Sequence, residues 1–138
     1  MNSLPYILIA EDDADDRELI KEAFIRFSSS CKLIFYPDGE DLLISMKENK
    51  EKTNPKLIIL DLNMPRKDGI ETLRELKQNG DLSGVPIVIF STSQSVDDKN
   101  NSIKFGANDF VTKPVTYEGL VDAVHYIMTT WLPEYATK

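Results

Sequence analysis

An α/β fold, one doubly wound parallel sheet of five strands flanked by five helices, is predicted by three features of the sequence. Short strand-like runs recur five times along the chain, and a stretch read as a helix follows each. Most of the runs are unbroken aliphatic segments such as Leu57 to Leu60, LIIL. Such runs suit strands buried on both faces, the arrangement of a parallel sheet covered by helices on each side. Right-handed crossovers with a reversal beside the first strand then give the strand order 2-1-3-4-5.

The elements follow in order. Tyr6 to Ala10 (YILIA) reads as the first strand, and Leu19, Ile20, Ala23, Phe24 and Phe27 mark one face of a helix after an acidic stretch. Leu33 to Tyr36 (LIFY) is a second strand, closed by the turn signal Pro37-Asp38-Gly39 before a helix carrying Leu42, Leu43 and Met46. Residues 47 to 56 are polar and read as a loop. The third strand, Leu57 to Leu60, runs into Asp61, and the next helix places Ile70, Leu73 and Leu76 inward before Asn79-Gly80 stops it. Pro86 introduces a fourth strand, Ile87 to Phe90, and a short polar helix from about Val96 to Phe105 ends at Gly106. Asp109 to Thr112 is the fifth strand, and the last helix runs from Tyr117 to about Trp131, where Pro133 ends it.

A chain of 138 residues fits a single domain, 1–138 with a core from about residue 4 to residue 130. Hydrophobic residues make up 41% and charged residues 28%, a soluble balance. No apolar run approaches the roughly 18 residues that a spanning helix needs, so no membrane association is expected. The start, MNSLPYILIAEDD, lacks a basic leader and a small-residue cleavage site. A cytoplasmic protein is therefore expected. Cys31 is the one cysteine, which rules out an internal disulfide and a cysteine-based zinc site, and it is expected as a small buried residue. The net charge of −7 argues against nucleic-acid binding, which needs clustered Lys and Arg. No DNA-binding output module is expected before the chain ends at Lys138.

In sheets of this kind ligands bind outside the carboxyl ends of the strands, near the switch point between the first and third. Glu11, Asp12 and Asp13 follow strand one, Asp61 follows strand three, Ser91 and Thr92 follow strand four, and Lys113 follows strand five. All are therefore expected on one rim. Asp61 is tolerable after four aliphatic residues because it stands where the buried strand emerges. Carboxylates about 4 Å apart repel by a few kcal/mol at an effective dielectric near 20, so the cluster calls for a cation. Oxygen-only ligands open to water suit Mg²⁺. Asp12 and Asp61 are the expected direct ligands, Glu11 acts through water, and Asn63 offers its backbone carbonyl. With Lys113 adding positive charge from the far side, Asp61 is equipped as a nucleophile that forms an aspartyl phosphate.

The segments LIAEDD, LDLNMPRKDG, the hydroxyl residue after PIVIF, and GANDFVTKP stand in order, with Asp61, Ser91 and Lys113 spaced as in one family. Over roughly residues 4 to 130 the chain resembles the receiver domains of two-component response regulators. EDDADDRELI and FSTS make it similar to the stand-alone receivers that accompany bacterial phytochromes. The resemblance implies that Asp61 accepts a phosphoryl group from a sensor histidine kinase or phosphotransfer protein, while Glu11 and Asp12 hold Mg²⁺ and Lys113 pairs with the phosphoryl group. It further implies that Ser91 moves toward a phosphoryl oxygen, that Phe110 turns inward, and that the surface of helix four, strand five and helix five changes. A cis Lys113-Pro114 bond is implied as well. Two departures stand out: Glu11 replaces the more usual Asp, and Phe110 replaces a tyrosine, leaving the aromatic switch without a hydroxyl. The domain is expected to catalyse only its own phosphorylation and dephosphorylation, to signal to an unknown downstream protein, and to be able to form a homodimer.

Other readings compete. Asp15 and Asp16 are read as helix N-terminal charge, and the Asn63 side chain as a turn former before Met64-Pro65. Phe110 could be plain core, His125 is read as a surface or packing residue, and Trp131 and Tyr135 either dock a partner or cover the helix end. A Mg²⁺-dependent phosphatase with an aspartyl nucleophile resembles Asp-x-Asp, whereas Asn63 holds the second position here. A flavin or nucleotide binder wants a loop of N–H donors after strand one, where this chain puts three acids. A non-phosphorylated interaction module would leave the acid, hydroxyl and lysine set without a purpose.

Overall fold

The computed structural model describes residues 5–27, 31–48 and 55–136. The elements are β1 (Tyr6–Ala10), α1 (Ala14–Phe27), β2 (Lys32–Tyr36), α2 (Gly39–Glu48), β3 (Leu57–Leu60), α3 (Gly69–Lys77), β4 (Ile87–Ser91), α4 (Val96–Lys104), β5 (Asp109–Thr112) and α5 (Tyr117–Trp131). Short 3₁₀ turns cover Gly80–Leu82 and Pro133–Tyr135. All strand pairs are parallel, in the order β2-β1-β3-β4-β5. The expected fold and order are therefore observed. β2 begins one residue earlier than the sequence indicates, at Lys32, and β4 runs one residue further, to Ser91. α2 continues through Lys47 and Glu48, the first two residues of the expected loop at 47 to 56, and residues 49–54 of that loop lie outside the described residues.

The aliphatic runs divide by strand period two. Leu8, Ala10, Ile58, Leu60, Ile87 and Ile89 face Leu42, Met46, Leu73 and Leu76 of α2 and α3. Their neighbours Ile7, Ile9, Leu57, Ile59, Val88 and Phe90 face Ile20, Phe24, Val124, Ile127 and Met128 of α1 and α5. The three central strands are thus buried on both sides, while the edge strands β2 and β5 are half-buried.

Each helix starts at a side chain that accepts from a backbone N–H three residues on. Asp13, Asp38, Asp68, Ser95 and Thr116 accept from Asp16, Asp41, Glu71, Asp98 and Gly119. Pro37-Asp38-Gly39 is therefore a helix start as much as a turn. α4 ends as expected, with Gly106 at φ 110°. α3 ends at Lys77, shortly before Asn79-Gly80.

Several local expectations change. Every described peptide bond is trans, so Lys113-Pro114 is not cis. The orientation of the lysine comes instead from its N–H, which donates to the Ser91 carbonyl at 2.7 Å, and from its ammonium contacts described below. Cys31 is only half-buried, because it precedes β2, an edge strand with a neighbouring strand on one side only. Trp131 covers the helix end: its indole N–H and the Tyr126 hydroxyl both donate to Asp109 at the start of β5. His125 is exposed and its ring lies 4.7 Å from that of Phe27. No helix among the described residues is long and apolar enough to cross a membrane.

Candidate functional site at the carboxyl rim of the sheet

Parallel strands deliver their last residues to one edge, and the chemistry-bearing side chains meet there. Glu11 follows β1, with its N–H donating to the Tyr36 carbonyl at 2.9 Å and its own carbonyl accepting from the Arg17 guanidinium at 2.8 Å. Asp61 follows β3, anchored by its N–H to the Ala10 carbonyl at 3.1 Å. Lys113 follows β5 and reaches back across the rim. Its ammonium donates to Asp61 Oδ2 at 3.1 Å and to the Glu11 carboxylate, and lies 3.5 Å from Asp16 Oδ2. Glu11, Asp61 and Lys113 are all buried, at 2%, 8% and 8% exposure, whereas Asp12 is open to solvent.

The lysine accordingly lies between the two buried acids, closer in than the far-side position expected from sequence. Burial pushes the Glu11 carboxyl up to about 7 despite the bond from Lys113, and the Asp61 charge contributes to the rise. For Lys113 burial acts downward, but Glu11 and Asp61 outweigh it and hold the ammonium above the ordinary lysine range. The rim therefore carries more negative than positive charge in a poorly solvated place.

One carboxylate oxygen each from Glu11, Asp12 and Asp61 lies within 4.8 Å of the others. Three oxygen donors on a surplus of negative charge, with Asp12 leaving one side open to water, fit a hard divalent cation. The Asn63 side chain is exposed, while its backbone N–H donates to Asp61 Oδ1 at 3.3 Å. Ser91 is fully buried, and its hydroxyl accepts from the Ser93 N–H at 3.3 Å; the neighbouring Thr92 is exposed. Phe110 is half-buried and packs against the core beneath α2 and α3.

Sequence reasoning misses two contacts in this part of the molecule. Asp16 does more than supply helix charge: it is one turn after Asp12 and so comes within reach of Lys113. Arg66 carries no sequence signal of its contacts. It pairs with Asp38 and Asp41, from 28 and 25 residues away, and no local pattern announces that contact.

Fold and rim together define a doubly wound α/β domain with a cation-competent carboxylate cluster at its topological switch point. The chain belongs to the response regulator receiver domain family, whose model matches residues 7–125. Receivers of this family interact with histidine kinases or other phosphodonors. The chain is 36% identical over 129 residues to the response regulator Rcp1 of Synechocystis, covering 91% of this chain and 88% of that one. The phosphorylated cyanobacterial phytochrome response regulator RcpA superposes with a TM-score of 0.88 at 32% identity, covering 96% of each chain. The Mn²⁺-bound form of Rcp1 superposes with a TM-score of 0.83 at 36% identity, covering 93% of this chain and 94% of that one. RPA3017, a response regulator in red light signaling of R. palustris, gives 0.83 at 30% identity, covering 98% and 99%.

Proposed function

We propose that Asp61 is the phosphoryl acceptor of a two-component phosphorelay and that its modification changes the surface formed by α4, β5 and α5. The carrying observation is the Lys113 ammonium, shared between Asp61 and Glu11 beside exposed Asp12. The P–N bond of a donor phosphohistidine protonated on its other ring nitrogen breaks, a P–O bond to an Asp61 carboxylate oxygen forms, and neutral imidazole leaves with the electron pair of the broken bond. Lys113 pairs with the phosphoryl oxygens and moves its charge from the carboxylates to the new group. Glu11, Asp12, Asp61 and the Asn63 carbonyl hold Mg²⁺, which when bound neutralises charge on the transferring oxygens. The Ser91 hydroxyl leaves the Ser93 N–H for a phosphoryl oxygen, and Phe110 turns inward to fill the vacated space.

The domain works on its own Asp61 and turns over no separate substrate. Likeness to RcpA and RPA3017 supports a donor kinase of the phytochrome class; the cytoplasm is the proposed place of the transfer. The groove beside Lys113, lined by Leu19, Val115 and Tyr117, gives that donor an apolar surface to dock on. The target is a further protein, and a homodimer is one form the switched surface can take.

The test is Mg²⁺ with beryllofluoride or acetyl phosphate, followed by amide NMR. Shifts at Ser91 and Phe110 are expected in the wild type and none in Asp61→Asn. An identical response in the variant removes Asp61 from this role.

A further inference from the structure

We propose that Arg66 is a positioning residue: its guanidinium braces the loop between Asp61 and α3 against the start of α2, and so fixes the Asn63 peptide at the cation site. The proposal rests on the assignment of Asn63 to that site. A backbone carbonyl has no side chain with which to find its ligand, so the loop alone decides where it points.

That loop is closed on itself at its base. The Gly69 N–H donates to the Leu62 carbonyl at 3.0 Å, and a Cβ on Gly69 would lie 2.3 Å from the Asp61 carbonyl oxygen. Its tip is tied at Arg66. The Nε donates to Asp38 Oδ2 at 2.8 Å, one terminal nitrogen donates to Asp38 Oδ1 at 3.1 Å, and the same nitrogen reaches Asp41. A two-pronged contact fixes direction as well as distance.

The receiving end is rigid. Asp38 is buried, and its Oδ1 also accepts the Asp41 N–H at 2.8 Å, capping α2. Gly39 lies so close to the start of α3 that a Cβ there would fall 1.7 Å from Thr72 Oγ1, and 3.1 Å from the Lys67 carbonyl oxygen.

Arg66 itself has φ 61°, a left-handed backbone unusual for a residue with a side chain, and the next N–H, of Lys67, turns back to the Pro65 carbonyl at 2.6 Å. Such a conformation persists where its surroundings over-determine it. Here the ion pairs with Asp38 and Asp41 do so, three residues from Asn63.

For Arg66→Ala, charge and position predict opposite signs. A guanidinium near an acidic site opposes a cation by simple repulsion, so deleting it as a charge tightens Mg²⁺ binding. Deleting it as a brace weakens binding. Mg²⁺ titrations of the wild type, Arg66→Ala, Arg66→Lys and Asp38→Asn are the test, the Arg66→Lys variant keeping the charge while losing the two-pronged contact. Asn still caps a helix, so Asp38→Asn removes the ion pair while sparing α2.

Weakening of about threefold or more is expected in all three Arg66 and Asp38 variants. Amide exchange at Asn63 and Met64, measured in EDTA, is expected to accelerate in the same three. Undiminished Mg²⁺ affinity in Arg66→Ala overturns the proposal, as does unchanged exchange. Absence of Mg²⁺ binding in the wild type overturns the cation site itself, and the exchange data then still decide the bracing.

Discussion

The ammonium of Lys113 stands 3.1 Å from Asp61 Oδ2 while it also bonds Glu11, joining two acids that follow different strands. Lys113→Ala leaves both carboxylates buried without that partner. Removing one member of a buried ion pair costs about 3 kcal/mol where the site cannot rehydrate. Denaturant unfolding at pH 8 in EDTA is expected to show a loss of that order, part of which Mg²⁺ restores. Equal stability of variant and wild type in EDTA would show that the lysine has no structural share in the rim.

Ser91 contributes one hydroxyl, fully buried and accepting from the Ser93 N–H. Ser91→Ala is expected to cost about 1 kcal/mol, the size of one ordinary hydrogen bond. Acetyl phosphate should still label Asp61 in this variant, but the amide shift at Phe110 should shrink. A full Phe110 response would mean that the hydroxyl does not transmit the change.

Gly69 is needed for a close approach. An added Cβ would meet the Asp61 carbonyl oxygen at 2.3 Å and Leu62 Cα at 2.8 Å, both backbone atoms that cannot swing aside. Gly69→Ala is predicted to lower stability by about 1–3 kcal/mol, the usual cost of overpacking. It should also weaken Mg²⁺ binding, because relief of the clash moves Asp61. Thermal melts with and without Mg²⁺ test both effects.

The pair between Asp38 and Arg66 sets a pH dependence. Burial raises the Asp38 carboxyl, but Arg66 and the N–H groups of Asp41 and Glu40 outweigh that and hold it below its ordinary 3.8. A carboxyl depressed in the folded state stabilises the fold above its unfolded pKa, and that contribution disappears as pH falls through the folded value. The stability gap between wild type and Asp38→Asn should therefore stay constant from pH 7 to about pH 5 and narrow below about pH 4. Urea unfolding across that range measures it, and a gap that widens in acid would contradict the assignment.

Much of the molecule is legible in the sequence. Unbroken aliphatic runs such as Leu57 to Leu60 identify strands buried on both faces, because a strand with one wet face must alternate. Once the strands are parallel, the residues after each of them share an edge, so Glu11, Asp12, Asp61, Ser91 and Lys113 could be assigned to one rim by counting. The edge residues were harder to read. Cys31 is half-buried because β2 has a neighbour on one side only, a property of sheet order that no local sequence window contains.

The chain by itself determined the sheet, its order and the acids at its carboxyl end, since burial period and crossover handedness are local rules carried in every short segment. Tertiary structure alone decided that Lys113 lies between Glu11 and Asp61, that the Lys113-Pro114 bond is trans, and that Arg66 closes on Asp38. Those outcomes depend on how far a flexible side chain reaches once distant segments have packed, and such distances exist only after the core has formed.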